Sequence, residues 1–575
     1  MRRMWSLAVL TGAGVLVTGL AAAPGAFAQT GPGGAAESLV NVGSVGTPFP
    51  QNKQNEPAVA VDPNNPNVVA AGSNDEIDLA PCGTDTATAA SPCPFTPGVG
   101  VSGVYFSSNS GHTWTQPTYT GWSARTGTSE AGPIGTLPWY YENGLVSGGD
   151  PGLAFGPVPK NGTFAWSNGS RLYYSNLVSN FPGKQAFKGF EAVAVSRTDN
   201  VSAAAAGDKS AWQPPVIASK QNMALFSDKS QIWADDAASS NFFGNVYVCY
   251  AAFRGVPGLS EPLFVARSTD GGSTWSNTQV TYAAAAAPQR FGNTGCTIRT
   301  DSHGTVYVFY MQFTTGLTAY QNVVKSFDGG VTWSRPQRLF AVNDMFYKFD
   351  PVEGRYVFDG IAGTREDLGS TPSVSIANGA PSGAGATNEI VDAWSDGRDG
   401  LNNEKTLLSW STDGANTWHP PVVVSRAGDR SEFSAPAIAP DGSRVYVTYL
   451  GWRTPYQDTT ASPREMLGVF RSAAVAANGT PGAFDTLHVG SAGDARGSSA
   501  NSLAFEFIGD YVYTAATATY GIGVWTDARN AADCSAIDAY RQSLYTSSPL
   551  AKPNPAIACT TGFGNTDIFD ATTAP

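Results

Sequence analysis

Two sets of polar residues recur at equivalent places along the chain. One set opens apolar segments: Glu56, Asp150, Asp228, Lys229, Glu432 and the pair Asp510-Tyr511. The other closes segments rich in Val, Tyr and Phe: Asn74-Asp75, Arg254, Asp396-Gly-Arg398, Trp452-Arg453 and Asp527-Ala-Arg529. The phrase Trp-Ser/Thr-Asp-x-Arg occurs twice, at 394–398 and 525–529. Carboxylates crowded into one place raise one another's pKa, which suits a general acid. Arginines grip a carboxylate or sugar hydroxyls through paired N–H groups. Acid–base work on a ligand carrying a carboxylate or sugar hydroxyls is the chemistry these residue types suggest. Asp and Arg at strand ends have a structural alternative, since they also cap those ends and join neighbouring units. His112 and His419 fall in turns, His303 in a short reversal and His488 in an outer segment. A Ser-His-Asp triad or a His-based metal site is therefore not expected. An acidic channel would accept a structural calcium ion, which needs only hard oxygen ligands; no other cofactor is expected.

The elements that must position these residues are marked by a repeated phrase. It reads Ser107-Ser-Asn109-Ser-Gly111-His-Thr113-Trp114, and returns with starts at Ser268, Ser326 and Ser411. The shared pattern is Ser-x-Asp-x-Gly-x-Thr-Trp, with Asn109 for Asp in the first copy and Ala415 for Gly in the last. Asp and Asn bond backbone two residues on, Gly takes positive φ cheaply, and Trp supplies an apolar plug. Each copy follows the same order of segments, seen in 228–283: an apolar strand, Asn245-Val-Tyr-Val-Cys-Tyr250, Leu263-Phe-Val-Ala266, then the turn. Extending that template gives seven units, near 55–120, 148–218, 228–283, 288–341, 370–426, 432–490 and 500–548. Four-stranded units repeated in this way predict an all-β chain folded as a seven-bladed β-propeller, with six blades as the alternative. Ser38-Leu-Val-Asn-Val42 could supply the last blade's fourth strand. The Ala-rich patches 203–206 and 283–287 are too short to be helices and read as loops.

The repeated phrase resembles the Asp-box of the sialidase superfamily, and the resemblance covers most of 50–530. It implies a secreted exo-α-sialidase-like glycoside hydrolase with a Tyr nucleophile, a Glu partner, an Asp acid/base and three arginines that hold a sialate carboxylate. A Tyr nucleophile departs from the usual pair of carboxylates in glycosidases. Tyr511, followed by Tyr520-Gly-Ile-Gly-Val-Trp525, matches the nucleophile's surroundings; Tyr513 faces the same way and is a rival. Glu432 or Glu56 would be the partner and Asp75 or Asp150 the acid/base. Arg398, Arg453 and Arg529, with Asp510 and Asp396, would bind substrate. The family's Arg-Ile-Pro phrase before the first inner strand is replaced by Asn55-Glu56-Pro57, and a Glu there would repel a sialate. The alternatives are a non-catalytic propeller that binds a glycan or a protein, and a polysaccharide lyase using Tyr511 and Arg453.

The chain of 575 residues carries a formal net charge of −12, so nucleic acid and anionic membrane surfaces are not expected partners. Arg2 and Arg3, the apolar run Trp5–Ala23 and Ala26-Phe27-Ala28 predict a bacterial-type secretory signal over 1–28. Residues 29–54 form an N-terminal segment, 55–548 the propeller and 549–575 a C-terminal tail. In an exported chain six cysteines predict disulfides, most simply Cys82–Cys93, Cys249–Cys296 and Cys534–Cys559. A monomer acting on a glycan outside the cell is the expectation.

Overall fold

The computed structural model describes residues 29–30, 33–43, 53–223, 225–254, 261–282, 292–313, 318–345, 348–359, 364–365, 368–499 and 501–575. The expected signal at 1–28 and the Ala-rich patch at 283–287 lie outside the described residues.

Seven antiparallel sheets form the blades of a β-propeller. Their innermost strands are Gln54–Val61, Gly152–Lys160, Leu225–Ala234, Gly292–Thr300, Ser373–Ile376, Arg430–Ile438 and Tyr513–Ala516. The second strands are buried on both faces, because each sheet is sandwiched between two others. In Val246–Arg254 every residue from Val246 to Ala252 is fully buried, which is why this stretch reads as an apolar run rather than an alternation. One apolar cluster joins the second and third blades through Tyr173, Val195, Ile232 and Val248, and another joins the third and fourth through Tyr247, Cys249, Ile298 and Val308. The disulfide Cys249–Cys296 crosses that second seam, with Cα atoms 6.2 Å apart.

The repeated turns seal these seams. In the second copy the Ser268 hydroxyl donates to Asp270 Oδ1 (2.8 Å), while the N–H groups of Ser273 and Thr274 donate to the same oxygen. The Thr274 hydroxyl reaches Asp270 Oδ2 at 2.6 Å. The copies around Asp328 and Asp413 repeat this set. In the first copy Asn109 substitutes: its Oδ1 accepts from Thr113 N and its amide donates to Thr113 Oγ1. Trp275, Trp333, Trp418 and Trp114 each pack into the cluster shared with the preceding blade.

The last blade joins both ends of the chain. Tyr513–Ala516 and Gly521–Asp527 pair in sequence, but the third strand is Asp567–Thr572, inside the stretch expected as a tail. The fourth is Ala36–Leu39, in register Ser38↔Asp570. An insertion separates the second and third strands, carrying the helices Ser535–Ser543 and Pro555–Ala558 and the disulfide Cys534–Cys559. Cys82 and Cys93 form the third disulfide. The patch 203–206 departs from the loop reading: Val201–Ala205 makes one helical turn, because the Asn200 side chain accepts from Ala203 N and caps it. No described helix is long and apolar enough to cross a membrane.

Candidate active site

Chain direction sorts the loops into two mouths. The repeated turns and the reversals between first and second strands lie at one mouth. The starts of inner strands and the loops between second and third strands lie at the other. At this second mouth most inner strands carry a residue in the left-handed region: Glu56 (φ 54°), Asp150 (51°), Lys229 (52°), Gly295 (61°), Phe433 (42°) and Gly509 (91°). In four blades the ladder register shifts there, between Asn55/Ala58, Asp228/Gln231, Thr294/Thr297 and Glu432/Ser434. Such bulges take side chains out of the strand alternation and re-aim them. Four of the six are not glycine, each at a cost of roughly 1–2 kcal/mol. Strain of this kind gathers at functional sites.

The bulges converge on a narrow axial cavity of about 40 Å³ lined by Lys229, Gln231, Thr371, Phe433, Asp510 and Tyr511. Behind it stands a nest of acids from separate blades. Glu56, 1 % exposed, accepts from Asn74 Nδ2 at 2.8 Å, and Asn74 Oδ1 accepts from the Asp150 backbone N–H at 2.9 Å. One asparagine thus ties two acids together. Gly509 closes over Glu56 so tightly that a Cβ there would lie 2.6 Å from Glu56 Cγ. Asp150 Oδ2 is buried without a hydrogen-bond partner. Burial, reinforced by Asp150 and Asp510, pushes the Glu56 carboxyl well up, and Asp150 is close enough to share its proton. Asp228 is pushed up to about 6 by burial, with Lys229 opposing and Asp150 reinforcing. Glu191 is pushed up to about 9 by burial and by Asp228 and Asp150. The Tyr511 phenol is raised by burial, then by Glu56 and Asp150. Lys229 Nζ is paired with Asp510 at 2.5 Å.

The other sequence-predicted residues divide. Glu432 is fully buried, with one oxygen on Trp452 Nε1 (2.7 Å) and the other unpartnered; burial raises it strongly. Asp75 is filled by Gln54, Ile77, Tyr105 and Gln116 and belongs to the interior of the first blade. Asp396 takes Trp394 Nε1 and both Nε and Nη2 of Arg398. Asp527 takes Trp525 Nε1 and Arg529 in the same way, and Arg529 also pairs with Glu37. Arg453 pairs with Asp429 at 2.9 Å. None of these three arginines lines the axial cavity.

Two features were not read from the sequence. Glu191 begins a third strand, and such starts open on the same mouth as the inner-strand starts; checking them would have found it. Arg430 binds Glu404 (3.0 Å) and Asp359 (3.0 Å), while Arg464 binds Glu506, all buried. This network clamps the insertion before the fifth blade onto the sixth and leaves no arginine among the described residues lining the axial cavity. Nor do the described residues contain three Asp, Glu, His or Cys side chains grouped to hold a metal ion.

No protein-family model and no curated protein matches the chain. Solved structures do. A protein of unknown function from Dyadobacter fermentans is 14% identical at a TM-score of 0.40, covering 76% of this chain and 97% of its own. The intramolecular trans-sialidase from Ruminococcus gnavus is 12% identical, with TM-score 0.39 and coverage of 71% and 92%. An α-L-arabinofuranosidase from Fusarium graminearum is 10% identical, with TM-score 0.36 and coverage of 74% and 92%. Likeness at this level carries nothing about chemistry.

Proposed function

We propose that this protein is a propeller glycoside hydrolase, sialidase-like in its Tyr–Glu arrangement, that acts from the axial cavity on an uncharged glycan. The observation that carries this reading is the Glu56–Asp150 pair behind Tyr511, tied by Asn74. Tyr511 Oη attacks the anomeric carbon and passes its proton to the Glu56–Asp150 pair, two carboxylates that share one proton and so can take a second. Glu191, protonated at neutral pH, gives its proton to the departing glycosidic oxygen. Water then attacks the glycosyl–Tyr511 bond, yielding a proton to Glu191, while Tyr511 regains its own from that pair. Two displacements retain the anomeric configuration. A neutral attacker avoids carrying a further full charge into a nest of acids, and those acids stabilise the positive charge that develops on the sugar. The preference for an uncharged sugar follows from electrostatics: Lys229 is paired with Asp510, so a sialate carboxylate would meet chiefly acids.

The test is a panel of fluorogenic aryl glycosides, neutral sugars beside a sialoside, with wild type and Tyr511→Phe. Release from a neutral glycoside, lost in the variant and giving the retained anomer first by proton NMR, is the expected result. Preference for the sialoside would overturn the substrate claim, and undiminished turnover by Tyr511→Phe the nucleophile claim. Saturable glycan binding without release would favour a binding propeller.

A further inference from the structure

The propeller axis holds a second cavity, at the mouth of the repeated turns. It holds about 300 Å³, and all seven blades contribute to it. Small-ligand sites run to about 300–1,000 Å³. Apolar side chains, Val59, Phe155, Ile376, Ile438 and Ala515 among them, line about half of it, and polar groups the rest. Tyr513 lines both this cavity and the acidic one.

Arg299 is only 9% exposed. Its guanidinium lies over the Trp233 ring, 4.7 Å from the centroid, and Nη1 donates to the Ile298 carbonyl (2.7 Å) and weakly to Gln231 Oε1 (3.4 Å). Nε and Nη2 have no hydrogen-bond partner among the described residues, and no described carboxylate forms an ion pair with Arg299. The acid sharing this chamber, Asp236, accepts from Asn378 at 2.7 Å instead. Burial pushes Asp236 up to about 7, opposed by its hydrogen bond from Asn378 and by the Arg299 charge. Arg299 lines the chamber, and a carboxylate meets a guanidinium's planar edge through two N–H groups.

We propose that this chamber binds a compact amphiphile bearing one carboxylate. The carboxylate sits on the open edge of Arg299 above Trp233, and the apolar body lies along the walls from the first, second and seventh blades. The site is separate from the acidic cavity and does not depend on what that cavity does.

Decanoate and 1-decanol, the same chain with and without the charge, are the probes, titrated calorimetrically into the full chain below their micelle-forming concentrations. Wild type is expected to bind decanoate tighter by about tenfold or more, the size of one or two charge-assisted hydrogen bonds. Arg299→Gln should bring decanoate down to the level of decanol. Ala515→Phe, which fills the chamber without touching the arginine, should weaken both probes together. Equal affinity of wild type for the two probes overturns the proposal, as does Arg299→Gln with unchanged decanoate affinity. Should Arg299→Gln fail to fold, Ala515→Phe decides: unchanged decanoate binding in that variant is equally contrary.

Discussion

The two mouths of the propeller use the same acids in opposite ways. In the repeated turns each Asp accepts from backbone N–H groups and a Thr hydroxyl within four residues of itself. The Thr332 hydroxyl and amide hold Asp328 down at about 2, and Asp413 lies there too, where burial pushes up and the donors of Thr417, Ser411 and Asn416 together outweigh it. At the other mouth the acids come from separate blades and face one another. Burial and mutual repulsion push Asp228 to about 6 and Glu191 to about 9. An acid answered by local donors is a fastener. An acid answered by other acids retains its proton and can give it away. The second arrangement opposes folding and persists because the bulged inner strands hold it.

The largest effect that sharpens this contrast is on turnover. Glu56→Gln is expected to cut kcat by about 10²–10⁴-fold, the span of a general acid–base group, without lowering the melting temperature, since it removes a repelled buried acid. A variant that loses stability along with activity would place Glu56 among the fasteners.

Next is pH. Asp228 and Glu191 have folded pKa values above their unfolded ones, so the stability tied to them is present below about pH 4 and lost as pH rises through about 6 and 9. Turnover should fall on the alkaline side near pH 9 as Glu191 loses its proton. Glu191→Gln should abolish that limb and flatten the decline in melting temperature between pH 5 and 9. An alkaline limb that survives the substitution would assign it to another group.

Asp527→Asn should leave turnover intact and cost about 1–3 kcal/mol in denaturant unfolding, because Arg529 loses a paired carboxylate in a buried setting. Loss of turnover would restore the arginine end to the active site. The smallest effect belongs to the turns. Asp413→Asn should lower the melting temperature slightly at neutral pH and not at all below about pH 2. The Asp413 contribution is present above about pH 4 and lost as pH falls through about 2.

The architecture was legible because it repeats. Four Trp-bearing turns, extended by the Val/Tyr/Phe runs, mark seven units, and closing the ring assigned Ser38 and its neighbours to the fourth strand of the seventh. The seventh blade's third strand was hidden because an insertion with its own helices and disulfide breaks the spacing before Asp567. At the site, strand starts pointed to Glu56, Asp150 and Asp510, and ends of second strands to Arg398 and Arg529, which do not line the axial cavity. A five-residue phrase containing Trp, Asp and Arg satisfies itself, and both copies close with the same hydrogen bonds. Which carboxylates meet carboxylates depends on contacts between blades, such as Asn74 with Asp150, and these are set by the ring rather than by any local segment.

The central claim, that Tyr511 in the acidic mouth carries the chemistry, is tested most directly by trapping. Protein incubated with a 2-deoxy-2-fluoro glycosyl fluoride of whichever sugar the panel releases is digested and analysed by mass spectrometry. A glycosyl label on Tyr511, absent in Tyr511→Phe, is the predicted result. A label on a carboxylate such as Glu432, or on any residue away from the axial cavity, would contradict it.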